Sequence, residues 1–272
     1  MPNPPLAPDA GVTRVALVTG AAQRIGRAIA LELAGHGWAV AVHHRSSTAA
    51  AAQAVAMLRE AGAQAIAFQA DLADEAACNA LVPAVLAAFG RIDAVVNNAS
   101  LFEHDDVASF GHAAMERAWR ANTAPAILLA RALHSSVSEP GSPARSGAVV
   151  NLLDQKLWNP NPDHLSYTLS KAALQAATTV LAQALAPAVR VCGVAPGLTL
   201  GSSDIDEQRL VQLQSQGLLK RGTRAEDVAR SVRFLLENPS ITGSTLLVDA
   251  GNHLQPAARD FAFQPSGQVA AP

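Results

Sequence analysis

Apolar residues fall in short blocks along this chain, and amphipathic stretches separate them. Arg14–Thr19 is an apolar run of strand length. Helical spacing follows at Arg24–Ala34 and ends near Gly35 and Gly37. The alternation continues with strands at Trp38–His43, Ala63–Gln69 and Ile92–Asn97. Between them lie helices at Thr48–Glu60, halted by Gly62, and Glu75–Phe89, halted by Gly90. A longer helical pattern spans His112–His134 with Pro125 as a kink, and the Ser-, Pro- and Gly-rich stretch Ser135–Ser146 reads as a surface loop. Strand Ala148–Leu153, helix Tyr167–Ala186 and strand Val189–Val194 come next. Helices at Ile205–Gln216 and Ala225–Glu237 precede a last strand, Thr245–Val248. This rhythm predicts an α/β fold, a doubly wound parallel sheet of about seven strands with helices on both faces. No linker interrupts it, so residues 13–253 are expected to form one domain, with residues 1–12 a flexible segment and residues 254–272 a tail or lid.

Composition narrows the picture only slightly. Half of the 272 residues are hydrophobic but only 4% are aromatic, so the core must be built mainly from Ala, Val and Leu. The 20 basic and 22 acidic residues leave no electrostatic footprint for nucleic acid or an anionic membrane. Cys78 and Cys192 offer neither a disulfide framework nor metal-type spacing, and read as buried thiols. The first residues lack the basic and apolar blocks of a signal peptide, and no apolar run approaches the roughly 18 residues of a membrane span. A soluble cytoplasmic protein is expected.

The chain has one tyrosine, four residues before a lysine, in Tyr167-Thr168-Leu169-Ser170-Lys171. On a helix both side chains share a face, and a cation beside a phenol lowers its pKa. Far upstream, Thr19-Gly20-Ala21-Ala22-Gln23-Arg24-Ile25-Gly26 joins a strand to a helix. Gly20 permits a tight turn and Gly26 a close approach, and the helix N-terminus supplies amide donors for a pyrophosphate. Together these features point to a Rossmann-type, nicotinamide-dependent oxidoreductase. No carboxylate occurs between Glu32 and Glu60 to hold ribose hydroxyls, and the second strand leads instead into His43-His44-Arg45-Ser46. Those side chains suit a 2′-phosphate, with Arg24 as a second cation, so NADP(H) is the expected cofactor. Asp71-Leu72 is a candidate for adenine contact, or Asp71 for capping the next helix. Asn97-Asn98-Ala99-Ser100 ends the fourth strand, where an open α/β sheet places its ligand crevice.

These motifs resemble the short-chain dehydrogenase/reductase family over about residues 13–253. Three positions depart from its general pattern. Arg24 stands where the middle glycine of the turn usually is, Ser100 replaces the last glycine of N-N-A-G, and Asp154 stands in place of the catalytic serine. These departures, with His44-Arg45-Ser46 and Ser100-Leu101-Phe102, resemble the pteridine reductase branch, which includes dihydromonapterin reductases.

The resemblance implies reduction of a dihydropterin, with a folate as a further substrate, by hydride transfer to a ring C=N, with Tyr167 and Asp154 delivering the proton. It implies that Lys171 holds the nicotinamide ribose and lowers the Tyr167 pKa, and that Asn122 holds a relay water. Cofactor contacts are expected from Gly20, Arg24, Ile25, Gly26, His44, Arg45, Ser46, Asp71, Leu72, Asn98, Ala99 and Ser100, and from Tyr167, Lys171, Pro196, Gly197 and Thr199. Phe102 would stack on the pterin, with Arg24 and Ser100 hydrogen-bonding substrate or phosphate and Trp158 and Leu198 lining the pocket. The loop Ser202–Leu219 would cover the substrate, its Asp204, Asp206 and Glu207 being exposed charges without a role there. The resemblance also implies a homotetramer, with a dimer as the alternative. A ketone or sugar reductase and a non-catalytic NADP(H) sensor are the rival readings. A carboxylate facing a nascent alkoxide argues against the first, and the retained Tyr167, Lys171 and Asn122 argue against the second.

Overall fold

The computed structural model describes residues 13–138, 146–202 and 204–264. Its strands are β1 (Val15–Val18), β2 (Ala39–His44), β3 (Ala65–Gln69), β4 (Ala94–Asn97), β5 (Gly147–Leu152), β6 (Val189–Pro196) and β7 (Thr245–Val248). Its helices are α1 (Arg24–Ala34), α2 (Thr48–Glu60), α3 (Glu75–Phe89), α4 (His112–Asn122), α5 (Ala124–Val137), α6 (Leu165–Ala184), α7 (Glu207–Gln216) and α8 (Ala225–Glu237). All strand pairs are parallel, in the order β3-β2-β1-β4-β5-β6-β7.

Strands that are apolar on both faces require a helical layer on each side. Along β1, Ala16 and Val18 enter one core while Val15 and Leu17 enter the other. The first core is closed by Ile29 and Leu33 of α1, Leu58 of α2 and Leu235 of α8. The second is closed by Leu81 and Val85 of α3 and Leu129 and Leu133 of α5. The chain winds outward from β1 in one direction to β3, then returns to lay β4 on the other side of β1. That reversal opens a crevice at the carboxyl ends of β1 and β4, where the glycine turn and Asn97–Ser100 lie.

Several element boundaries fall where the sequence places them, including both ends of α1, α2, α3, α8 and β7. Cap chemistry sets some of these limits. The Asp74 carboxylate accepts from the Ala76 amide at the start of α3, and Gly90 closes it in the left-handed region at φ 75°. The single helix expected over His112–His134 is in fact two. The break falls at Thr123 (φ −113°), and Pro125 sits in the first turn of α5, where its missing amide hydrogen costs no helical bond. Thr123 Oγ1 donates to the Ser170 carbonyl instead, tying this joint to α6.

The expected loop at Ser135–Ser146 begins later, since α5 runs to Val137, and residues 139–145 lie outside the described residues. The expected helix Ile205–Gln216 starts only at Glu207, because Asp206 caps it by accepting from the Arg209 amide. The stretch after Pro256 forms a short 3-10 turn at Phe261–Phe263 and is anchored by Arg259 on Asp163 and Asp260 on Lys156. The termini at 1–12 and 265–272 lie outside the described residues. Among the described residues no helix is long and apolar enough to cross a membrane.

Candidate active site

The glycine turn is built to let other groups come close. Gly20 adopts φ +63°, and a Cβ on Gly26 would lie 2.2 Å from the Gly20 carbonyl oxygen and 2.6 Å from Asn98 Nδ2. Arg24, at the place of the middle glycine, also takes a positive φ of 55°. It stays exposed and donates through Nη2 to the Gly201 carbonyl at 2.8 Å, bridging the turn to the loop before α7.

His43 holds this turn from below. Its Nδ1 accepts from the Gly20 amide at 3.1 Å and its Nε2 donates to the Ala70 carbonyl at 3.1 Å. Burial lowers its pKa to about 4, so the ring stays neutral, as that pattern of donation requires. The next residue points to the opposite face of β2. His44 Nδ1 is buried and has no hydrogen-bond partner among the described residues, while Arg45 and Ser46 are exposed. A buried imidazole nitrogen without a partner, beside an exposed arginine and hydroxyl, suits an anionic group.

Other expected cofactor residues divide in two. Asn98 Nδ2 donates to the Thr19 carbonyl at 2.8 Å, and Thr19 Oγ1 accepts from the amides of Asn98 and Ala99, so these residues lace β4 to the turn. Asp71 is exposed and its carboxylate accepts from the Ala73 amide at 3.0 Å; the helix-capping alternative belongs to Asp74. The Leu72 side chain is buried in the core, which leaves its backbone as the part able to face a ligand. Ile25 is half-buried beside Gly26. At the end of β6, a Cβ on Gly197 would meet Asp249 at 2.7 Å, and Thr199 Oγ1 donates to the Gly197 carbonyl, fixing the turn after Pro196.

The chemistry centres on α6. Tyr167, Ser170, Lys171, Leu174 and Thr178 are its buried face, a helical stripe that is polar where it meets the crevice. Tyr167 Oη donates to Asp154 Oδ2 at 2.7 Å, and Asp154 Oδ1 accepts from the Lys156 amide at 2.8 Å. Burial pushes the Asp154 carboxyl above its usual range. Burial, and then the adjacent Asp154 charge, pushes the Tyr167 phenol well above its ordinary value. This corrects the expected effect of Lys171. Its Nζ is bonded to the Leu152 carbonyl at 2.7 Å and sits 5.8 Å from the centre of the Tyr167 ring, while the carboxyl contacts the phenol oxygen directly. Burial lowers the Lys171 pKa to about 8.

Asn122 is also placed differently from the expectation. Its Oδ1 accepts from Ser100 Oγ and the Leu101 amide, and its Nδ2 donates to the Leu101 carbonyl and Ser170 Oγ. With both lone pairs and both hydrogens engaged, the side chain has nothing left for a relay water. It fastens the loop carrying Phe102 to α6.

Phe102 is 52% exposed, its ring edge-on to Tyr167 at 4.6 Å and stacked on His164 at 4.1 Å. An aromatic face open to solvent beside a phenol is a platform for a flat ring. His164, unmarked by the sequence reading, adopts a left-handed φ of 54° at the start of α6. Its Nδ1 donates to the Glu103 carbonyl at 3.0 Å, and its buried Nε2 has no partner among the described residues. The sequence reading also missed the anchor behind the site, where buried Lys156 Nζ donates to the Asp163 carbonyl and pairs with Asp260. Trp158 and Leu198 are half-buried; Trp158 packs with Leu153 and Leu174, and the Leu198 carbonyl accepts from Gln214.

Residues 14–210 match the short chain dehydrogenase family. The chain is 33% identical over 258 residues to the putative ketoacyl reductase 2 of the granaticin polyketide synthase of Streptomyces violaceoruber, covering 92% of this chain and 100% of that protein. Two solved structures of FolM alternative dihydrofolate reductase 1, from Brucella canis and Brucella suis, both with NADP, are each 38% identical to it. The first superposes with a TM-score of 0.81 over 89% of this chain and 94% of its own, the second with 0.83 over 89% and 95%.

Proposed function

The chain belongs to the short-chain dehydrogenase family and is an oxidoreductase that uses NADP(H), and on that premise we propose that it reduces the pterin ring of a dihydropterin. The observation that carries the proposal is Asp154 bonded to Tyr167 at 2.7 Å, beside the open face of Phe102. The 38% identity to two proteins named as dihydrofolate reductases supports it.

The residues present fit the cofactor. Gly26 leaves a cradle that a Cβ would fill, and His44 Nδ1 is a buried atom in need of a partner. His44, Arg45 and Ser46 would hold the 2′-phosphate, and Gly20, Arg24, Ile25 and Gly26 the pyrophosphate. The backbone at Asp71 and Leu72 would take the adenine, and Ala99 and Ser100 would border the cofactor. Lys171, Pro196, Gly197 and Thr199 would flank the nicotinamide end. NADPH, when bound, supplies the hydride.

The proton comes from the chain itself. A buried phenol whose pKa is pushed up does not end the reaction as phenolate. Tyr167 therefore passes its proton to the ring nitrogen as it receives another from Asp154, and the negative charge comes to rest on the carboxylate. The Lys156 amide and the Lys171 cation stabilise it there. Asp154 must be protonated at the start, as its raised pKa favours. Phe102 holds the flat ring, and Asn122 holds Phe102's loop.

A ketoacyl or other carbonyl reductase is the rival, supported by the 33% identity to the granaticin protein. The deciding experiment follows NADPH oxidation by absorbance with a dihydropterin, dihydrofolate and a 3-oxoacyl thioester. Turnover of the pterins is the expected result; turnover of the thioester alone overturns the proposal. Cofactor choice has its own check. Arg45→Ala is expected to raise the Kd for NADPH at least tenfold, with little change for NADH, in fluorescence titrations.

The proposal includes a homotetramer. Leu169 and Val180, eleven residues apart on one face of α6, are 44% and 60% exposed, and Phe234 on α8 beside the edge strand β7 is 49% exposed. Apolar positions of this size suit two separate interfaces. Light scattering should give the mass of four chains.

A further inference from the structure

The proposed reaction makes no use of the tail after β7, yet that tail returns to the back of the Asp154–Tyr167 pair. Asp154 leads directly into the 3-10 turn Gln155–Leu157, which presents the Lys156 amide to its Oδ1 at 2.8 Å. The Lys156 side chain, 3% exposed, pins this turn. Its Nζ donates to the Asp163 carbonyl at 2.6 Å and to Asp260 Oδ2 at 3.3 Å. Asp260 is itself fixed, since its amide donates to Asp163 Oδ2 at 2.7 Å and its Oδ1 accepts from the Ala262 amide at 3.2 Å. Lys156 thus holds the proton-bearing carboxyl with its backbone and the tail with its side chain.

The charges around the pair come from three elements. Tyr167 and Lys171 face Asp154 from α6, Lys156 meets it through the turn, and Asp260 stands behind it on the tail. The Asp163 carboxylate is matched by Arg259, whose Nη2 lies 2.8 Å from Oδ1. Burial is the main cause that raises both Asp154 and Tyr167, and the Asp260 charge acts in the same direction on each. The same tail turn carries an uncharged group to the ring platform. Phe263 stacks on His164 at 5.9 Å, and His164 stacks on Phe102 at 4.1 Å.

We infer that Asp260 is a positioning residue for the proton donor: through Lys156 it fixes the turn whose amide holds Asp154, and it sets a negative charge behind that carboxyl. This role rests on the reading of Asp154 and Tyr167 as the donor pair. The fixed turn keeps Oδ1 occupied, so that Oδ2 is the oxygen presented to the phenol. The charge favours the protonated carboxyl with which the reaction begins. Phe263 has the other task, backing the ring that carries the substrate, and it leaves the charges untouched.

The test measures single-turnover reduction of a dihydropterin at saturating NADPH, over about pH 5 to 9, in wild type, Asp260→Asn, Asp260→Glu and Phe263→Ala. A second readout is an infrared pH titration, without substrate, of the protonated carboxyl band that Asp154→Asn removes. Asparagine keeps the oxygen that accepts from the Ala262 amide and loses the charge. Asp154 then ionises more easily, so in Asp260→Asn both midpoints should move down by roughly half to one pH unit, a threefold to tenfold lower rate on the alkaline side. Asp260→Glu should restore the midpoint. Phe263→Ala should raise the pterin concentration needed for half-maximal rate and leave the midpoint in place. Midpoints unmoved in Asp260→Asn, or moved equally by Phe263→Ala, overturn the role of Asp260 and leave the donor pair standing. A wild type whose rate is level and whose carboxyl band does not titrate overturns the donor pair and the role of Asp260 together. If no dihydropterin is turned over, the pterin reading fails, and the infrared midpoint still decides the role of Asp260.

Discussion

Tyr167→Phe is expected to lower kcat for dihydropterin reduction about a thousandfold, the middle to upper part of what a positioned proton donor contributes. NADPH affinity should stay within a few-fold. Phenylalanine keeps the ring whose edge meets Phe102, and the Lys171 bond to the Leu152 carbonyl does not involve the phenol oxygen. What is lost is the hydroxyl through which Asp154 reaches the substrate, a single 2.7 Å link. Asp154 also loses the donor on Oδ2 and keeps only the Lys156 amide on Oδ1, so its carboxyl shifts further toward the neutral form. Single-turnover rates with saturating NADPH separate this loss from any change in binding. If kcat falls less than about tenfold, the proton travels by a route that bypasses Tyr167, and the assignment of the pair as donor fails.

Tyr167 and Lys171 could be found in the sequence because their signal is local, whereas Asp154 was reached only through the family resemblance. The Tyr167–Lys171 spacing places two side chains on one helical face whatever the rest of the chain does. The same holds for Gly20 and Gly26, whose roles are set by the strand-to-helix turn that contains them. The end of Glu75–Phe89 was readable from the glycine that follows it, while the cap at its start is Asp74 rather than the Asp71 offered by the sequence.

Less was legible where partners come from far along the chain. Lys156 meets Asp260 across 104 positions, and Asp163 meets Arg259 across 96, in a tail without any hydrophobic period. Asn122 was identified, but its engagement with Leu101, Ser100 and Ser170 depends on how α4 and α6 pack. His43 is a different case. Successive residues of a strand point to opposite faces, so His43 and His44 could not both face one ligand, and that alternation was a usable signal. The sign of the Tyr167 shift was missed because spacing reveals the nearby cation but not the burial, nor that the carboxyl contacts the phenol oxygen.

Asp154→Asn is expected to lower kcat about a hundredfold and to remove the pH dependence that the wild type shows. In the wild type the active form carries a proton on the Asp154–Tyr167 pair, and burial raises the carboxyl's pKa above its usual range. The rate should therefore be highest on the acid side and decline as pH rises through the apparent pKa of the pair, a property of both groups together. An asparagine cannot lose that proton, so its low rate should be level over about pH 5 to 8. A wild-type profile already level over that range, with chemistry rate-limiting, removes the argument for a carboxyl donor. Asp154→Ser carries the complementary test. A hydroxyl donates to a developing alkoxide, where a carboxylate would repel it. That variant should gain activity on a 3-oxoacyl thioester or ketone while losing it on the dihydropterin. If it instead retains pterin turnover and gains nothing on carbonyls, Asp154 does not set the reaction class, and the choice between C=N and C=O lies with the walls around Phe102.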